Sequence, residues 1–397
     1  MKYCIVILDG AAGWPLPGHA GKTSLELAHK PNLDAMAQEG YGGIVRHVPP
    51  GMEPGSAPAC MSLLGYDPLV YYKGRSGIEA KSMGVPINDG EVVFRCNLVA
   101  VRNGQMWSFS SGRISTKDAE ALIAGLNEKM GSDTVTFYPG ISYRHICKIK
   151  GGADALNAIC TPPHDIPEKP IADFLPKGKG SDMLKDLMER SIPILAEHPV
   201  NRQRITRGDI PATMIWLFWG SGQIPPIPSF SQTYGVNAAM TSGVDLLMGL
   251  AKMLSIDVLS VPGVTDGPDN DYRAQAAGAI KALDTHDLVA IHFEAPDEAA
   301  HKGDIKEKIE AIEKIDHEVL DKLRRLYPGN LRIMALPDHP TPIKIQTHTD
   351  EPVPFILWGP EFKPSGALSF TEAEMKKTGV YIDPGYTLMK RFISGVL

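Results

Sequence analysis

A chain of 397 residues is long for one domain and comfortable for two. An apolar content of 43%, a charged content of 22% and a net charge of -6 are ordinary for a globular protein and argue against nucleic-acid binding as its main business. Five scattered cysteines without a CxxC pair, and an N-terminal apolar run too short for a signal peptide or a membrane span, point to a reduced, cytoplasmic protein that leaves membranes alone.

Tyr3–Leu8 reads as a short buried strand that ends in Asp9-Gly10. A carboxylate at the C-terminal end of a first strand sits where open α/β sheets place their ligands, although Asp-Gly is also a plain turn pair. Lys30-Pro31 opens a helix that runs through Glu39 and stops at Gly40. In Pro49–Asp67, Ser56 follows a Gly and precedes a helical pattern in which Pro58 fits only the first turn. Ser56 is therefore expected as the N-cap, its hydroxyl at the positive end of the helix dipole. Most such serines only cap, but one beside a metal can become a phosphoryl acceptor.

Between Gly74 and Gly220 short strands alternate with longer amphipathic helices. Val92–Val101 is a strand that carries Arg95, Ser115–Met130 a helix, and Val135–Phe137 and Tyr143–Ile149 further strands, with Arg144-His145 leading into the second. A Pro-rich loop over Cys160–Lys179 leads to a helix over Asp182–Glu197. Asn201–Arg207 then brings three arginines ahead of the strand Ala212–Trp219. Arginines usually decorate solvated surface, yet Arg95, Arg144, Arg202, Arg204 and Arg207 are suited to clamp phosphate and carboxylate groups.

After Tyr234 helix and strand alternate regularly: helix Ser242–Leu254, strand Asp257–Val261, helix Asp271–Leu283, strand Asp287–Phe293, helix Asp304–Leu326, strand Leu331–Leu336. That rhythm predicts a mostly parallel sheet. A last helix is expected over Pro384–Ile393. Asp297 and His301, four apart just past a strand end, would point the same way from one helical turn. His292 alternates within its strand and reads as a packed core histidine. Asp338 and His339 follow the strand Leu331–Leu336, and His348 follows a Pro-rich loop. Asp9, Asp297, His301, Asp338, His339 and His348, with Ser56 as a seventh, are too many ligands for one tetrahedral ion and suit two ions about 3.5–4 Å apart. Mixed carboxylate and imidazole favours Mn, Zn, Fe or Co over Mg.

These residues lie within longer matching segments: KPNLD at 30–34, PGS with CMSLLGYDP at 54–68, YYKGRSGIEA at 71–80, FRCNLV at 94–99, YPGISYRH at 138–145, APDEAAHKGD at 295–304, LPDHPTP at 336–342 and HTDEPVPF at 348–355. In order and over nearly the whole chain, they resemble the cofactor-independent phosphoglycerate mutases of the alkaline phosphatase superfamily, most closely the shorter archaeal-type branch. The resemblance implies an alkaline-phosphatase-like α/β fold: a mostly parallel sheet flanked by helices, with an inserted smaller α/β (α+β) cap. It implies a discontinuous metal-binding catalytic domain over 1–85 and 236–397 and a substrate-binding cap over 86–235. It also implies Ser56 as nucleophile, one ion held by Asp297, His301 and His348, and a second held by Asp9, Ser56, Asp338 and His339. Arg95, Arg144, His145, Arg204 and Arg207 become the expected substrate-binding residues. The cofactors would be two divalent ions, Mn or Zn first and Mg, Co or Fe after them. The partner would be a small phosphorylated metabolite, phosphoglycerate, with neither nucleic acid nor membrane involved and with oligomerisation left open. One departure stands out: archaeal-type enzymes read GSDVAN around the serine, whereas this chain reads GSAPAC at 55–60. Two other readings therefore stay open, a phosphatase or phosphotransferase with a homoserine-kinase-like role, and a non-catalytic binding protein.

Overall fold

The computed structural model describes residues 1–326 and 329–397. The chain divides into two compact units, Met1–Tyr72 with Pro226–Leu397, and Lys73–Pro225. The joins thus fall at 72/73 and 225/226, where sequence pattern alone had put them at 85/86 and 235/236. The reason is the helix Arg75–Ser82, which packs on strands of the second unit. Among the described residues, no helix is long and apolar enough to cross a membrane.

Among the described residues thirteen strands occur in chain order: β1 (Lys2–Leu8), β2 (Tyr41–Val45), β3 (Glu91–Arg102), β4 (Gln105–Ser108), β5 (Val135–Tyr138), β6 (Arg144–Lys150), β7 (Met214–Ser221), β8 (Ala238–Thr241), β9 (Asp257–Val258), β10 (Leu288–Phe293), β11 (Leu331–Leu336), β12 (Val353–Trp358) and β13 (Tyr381–Ile382). The first unit builds an eight-stranded sheet in the order β13-β2-β12-β11-β1-β10-β8-β9. β1 lies at its centre, parallel to β10 on one side and β11 on the other. Buried on both faces, β1, β10 and β11 are near-continuous apolar runs rather than alternating ones. Helices Pro31–Glu39 and Tyr272–Ala282 cover the sheet through Leu33, Met36, Ala276 and Ala279, which are buried in one apolar cluster with Val6, Ile291 and Ile333. β12 runs antiparallel to both β11 and β2, an exception to the parallel expectation at one side of the sheet. The long helix expected over Asp304–Leu326 is continuous in path but carries a π-helical segment, Ile315–Leu320. There the buried Asp316 turns its carboxylate to the backbone N–H groups of Asn32 and Leu33, capping another helix start.

The second unit is an antiparallel sheet in the order β4-β3-β6-β5, with β7 paired to β3. Helices Thr116–Met130 and Ser181–Glu197 pack their apolar faces against it. The arginine-rich stretch after residue 198 is a helix, Pro199–Arg207, started by His198 and ended by Gly208 in the left-handed conformation.

Candidate metal centre and nucleophile

Because β10, β1 and β11 are neighbours and parallel, the residues that follow them emerge along one edge of the sheet. Asp9 follows β1, the helix Ala295–His301 follows β10, and Asp338-His339 follows β11. Residues up to about 330 positions apart in the chain are thereby brought together by the strand register.

The turn after β1 is tight. Gly10 has φ +60°, and a Cβ there would lie 2.3 Å from Asp297 Oδ1 and 2.7 Å from Thr341 Oγ1, so only glycine lets the two strand ends close up. Gly10 N–H and His339 N–H both donate to Asp338 Oδ1, at 3.2 and 2.9 Å, fixing that carboxylate. Thr341 Oγ1 donates to Asp297 Oδ1 and lies 3.3 Å from His339 Nδ1. Lys308, fully buried, donates from Nζ to the carbonyls of Ala12 and Thr341, pinning the loops after β1 and β11 to one helix. Burial pushes its ammonium down to about 8.

Two ligand sets result. In the first, Asp297 Oδ2 lies 3.0 Å from His301 Nε2 and 3.6 Å from His348 Nε2, and the two imidazole nitrogens are 2.9 Å apart. The helix Ala295–His301 supplies the i, i+4 pair, as the spacing predicts. Burial would raise the Asp297 carboxyl, but hydrogen bonds from His301 and His348 outweigh it and hold the group well below the usual carboxylate range. His301 rises to about 9, chiefly through that hydrogen bond with Asp297. In the second set, Asp9, Asp338 and His339 are fully buried, with His339 Nε2 at 3.5 Å from Asp9 Oδ1 and 3.4 Å from Asp338 Oδ2. Burial first, and then the charges of Asp338 and Asp297, push the Asp9 carboxyl well above its ordinary value. Asp9 Oδ1 is buried with no hydrogen-bond partner among the described residues. The rings of His339 and His348 pack at 4.4 Å between centroids, so the two sets adjoin. A buried carboxylate oxygen without a donor, and imidazole nitrogens aimed at each other, fit a cation-binding donor set.

Ser56 stands beside the second set, its Oγ 3.3 Å from His339 Nε2. It is the first residue of the helix Ser56–Leu63 rather than the N-cap, a position taken by Gly55. The hydroxyl is therefore free of capping duty, and the helix still presents its positive end. Cys60, in the departing GSAPAC segment, has its Sγ 3.6 Å from Asp338 Oδ2.

His292 is a packed core histidine, as its place in the strand predicts, and its ring has polar partners. It is buried, but its Nε2 lies 2.7 Å from Asp9 Oδ2, its Nδ1 lies 3.0 Å from Ser242 Oγ, and Glu294 Oε2 is 3.6 Å away. Neither Glu294 nor Ser242 was singled out by sequence; the signal available was the polar dipeptide spacing His-x-Glu at a strand end.

In the second unit, Arg95 is buried and gives its guanidinium to Glu79 and to Asn97 Oδ1. Burial would raise the Glu79 carboxyl, but Arg95 and Arg75 together hold it below its ordinary value. Arg75 donates to Glu79 at 3.1 Å and stacks 4.3 Å over the Trp219 ring. Its place in YYKGRSGIEA was the signal that could have found it. Arg144 and His145 are paired across β3–β6 with Asn97 and Cys96, near Arg95. Arg204 and Arg207 form a different group: both bind Asp118 at 3.0 Å, Arg204 also reaching the carbonyls of Ser111 and Ile210, and Arg207 the carboxylate of Asp209.

A family model for 2,3-bisphosphoglycerate-independent phosphoglycerate mutase matches residues 37–201. A curated protein of that name from Methanothrix thermoacetophila is 43% identical over 398 residues, covering 100% of both chains. The chain belongs to the 2,3-bisphosphoglycerate-independent phosphoglycerate mutase family. Among solved structures, this family member is similar to a cofactor-independent phosphoglycerate mutase from Thermoplasma acidophilum, at 25% identity, 99% coverage of both chains and a TM-score of 0.66. It is also similar to a protein from Pyrococcus horikoshii, with a TM-score of 0.81, 25% identity, and coverage of 100% of this chain and 98% of that one.

Proposed function

We propose that the chain interconverts 3-phosphoglycerate and 2-phosphoglycerate through a phosphoserine at Ser56, without a bisphosphoglycerate cofactor. The observation that carries this is the Ser56 hydroxyl at a helix start, 3.3 Å from His339 in a buried carboxylate–imidazole cluster. Divalent ions of the Mn or Zn class, held by Asp297, His301 and His348 and by Asp9, Ser56, Asp338 and His339, would lower the serine pKa and neutralise phosphoryl charge. Ser56 Oγ gives up its proton and attacks phosphorus, the bond from phosphorus to the substrate O3 breaks, and that oxygen takes a proton. The glycerate turns, its O2 gives up a proton and attacks the phosphoserine, and Ser56 Oγ leaves and takes a proton back. The helix start favours negative charge at Ser56 in both halves. Gly10 and Thr341 keep Asp338 and Asp297 in place while the serine is carrying the phosphoryl group.

The acidic substrate calls for guanidinium groups, and we assign that duty to the second unit. Arg75 and Arg95 pair there with Glu79 and Arg144 lies near Arg95, while Arg204 and Arg207 both pair with Asp118 as a second basic group. The test is Ser56→Ala in metal-loaded protein given labelled 3-phosphoglycerate. Loss of the acid-stable phosphoenzyme and of 2-phosphoglycerate, with metal content kept, is the expected result. Normal turnover in that variant, or free phosphate as the wild-type product, refutes the mutase reading.

A further inference from the structure

We propose, on the reading of the second unit as the holder of the substrate's acidic groups, that Trp219 is a positioning residue: its indole keeps the Arg75 guanidinium flat and open to the substrate carboxylate. Trp219 has φ +50°, a left-handed conformation that bulky L residues avoid. It lies in β7 where the pairing with β3 slips. Val93 faces Ser221 and Arg95 faces Phe218, so Trp219 and Gly220 together oppose Phe94. Such a bulge bends the strand and re-aims a side chain. Gly220 permits it, since a Cβ there would lie 2.5 Å from Phe94 Cε1. Backbone strain of this kind persists only where the surrounding structure enforces it, and it clusters where a side chain must take one particular direction.

The direction taken here is toward Arg75. The start of the helix Arg75–Ser82 is fitted against the bulge: a Cβ on Gly74 would lie 2.6 Å from the Gly220 carbonyl oxygen, and one on Gly77 2.5 Å from Ser221 Oγ. Arg75, the first residue of that helix, stacks its guanidinium 4.3 Å from the centre of the Trp219 ring. The ring is braced in turn by Phe218 at 4.6 Å and His164 at 5.5 Å between centroids. A cation at a helix start opposes the dipole, so local preference does not put an arginine there. The guanidinium donates to Glu79 through Nε, at 3.1 Å, and among the described residues its two terminal nitrogens have no protein partner. Arg95 differs, being buried and occupied by Glu79 and Asn97. With its side chain 34% exposed, Arg75 presents a planar fork of N–H donors. A carboxylate is the planar anion that accepts two parallel bonds from such a fork. The phosphoryl group travels to Ser56, whereas the carboxylate stays on the glycerate through both halves of the reaction, so a donor pair fixed in one place suits it. An aromatic face holds the guanidinium without taking up its N–H donors, which another carboxylate would do.

The test uses full-length, metal-loaded enzyme and the variants Trp219→Phe and Trp219→Leu, with Trp219→Leu also made in an Arg75→Met background. Trp219→Leu keeps apolar bulk but loses the aromatic face, so KM for 3-phosphoglycerate should rise on the order of tenfold with kcat changing less, while Trp219→Phe stays within about threefold of wild type. In the Arg75→Met background the Trp219→Leu change should add no further loss, because no guanidinium is left to hold. An unchanged KM in Trp219→Leu, a Phe variant as impaired as the Leu variant, or losses that add in the double variant each overturn the role of Trp219. Crystals of the wild type with 3-phosphoglycerate give a readout that no folding defect can mask: the carboxylate is expected on the terminal nitrogens of Arg75, and a carboxylate bound elsewhere overturns the assignment. A wild type that forms no 2-phosphoglycerate is a different result. It refutes the mutase reading, and the carboxylate role of Arg75 falls with it.

Discussion

Replacing His348 by Ala asks whether the two ligand sets are energetically separate. His348 lies in the loop between β11 and β12, with a side chain 25% exposed, and it contributes one of three protein donors to the Asp297 set. Removing it takes away no core packing, so the metal-free variant should lose no more than about 1 kcal/mol of stability. Asp297 and His301 remain paired at 3.0 Å and keep two donors in place. If a complete site is worth roughly 10–16 kcal/mol over about four ligands, one ligand is worth about 3 kcal/mol, or on the order of 10²-fold in affinity. The Asp9 set loses only the ring contact between His348 and His339, so its affinity should change by no more than about threefold. Competitive titration of chelator-stripped protein with Zn²⁺ against a chromophoric chelator reads both sites at once. Two unchanged affinities, or the collapse of both, would refute a division in which His348 serves the Asp297 set alone.

Other outcomes follow from the same geometry. His301, raised to about 9 by Asp297, must lose its proton to bind an ion, so affinity at that set should climb roughly tenfold per pH unit below that value and level off above it. A titration series that shows no proton release on metal binding sinks this. In the metal-free protein the same pairing has the opposite sense: its stabilisation is full below about 6.5 and fades as the pH rises through the folded value. Glu79→Gln strips the buried Arg95 of its counter-charge and should cost about 3–5 kcal/mol in the second unit, read by chemical denaturation at neutral pH. With the Glu79 carboxyl held low by Arg95 and Arg75, that contribution is present above about 4.5 and lost as the pH falls through the folded value. Gly10→Ala drives a Cβ to 2.3 Å from Asp297 Oδ1 in a left-handed conformation, so it should lower both stability and metal content. An unaltered metal count in that variant would show that the turn has slack.

Much of this protein is legible in one dimension. The apolar runs at Tyr3–Leu8, Leu288–Phe293 and Leu331–Leu336 have to be buried, and the helices between them have to cross the sheet, so the parallel centre follows from pattern alone. The residues at their ends, Asp9, Asp297, His301, Asp338, His339 and His348, are readable for the same reason: chain chemistry changes abruptly from apolar to ligating where a strand stops. What sequence could not decide was anything that depends on which atoms meet. Ser56 proved to be the first helical residue because Gly55 took the cap, and cap geometry is a matter of one dihedral pair. Alternation placed His292 in the core, where it lies, but alternation counts faces and not neighbours, and only the β1–β10 register laid its ring against Asp9. The helix Pro199–Arg207 turns Arg204 and Arg207 toward Asp118, eighty-odd positions away in the chain, a partner that spacing does not reveal. Spacing along a chain fixes which side chains share a face; which carboxylate a guanidinium or an imidazole finally meets is settled by packing between elements far apart in sequence.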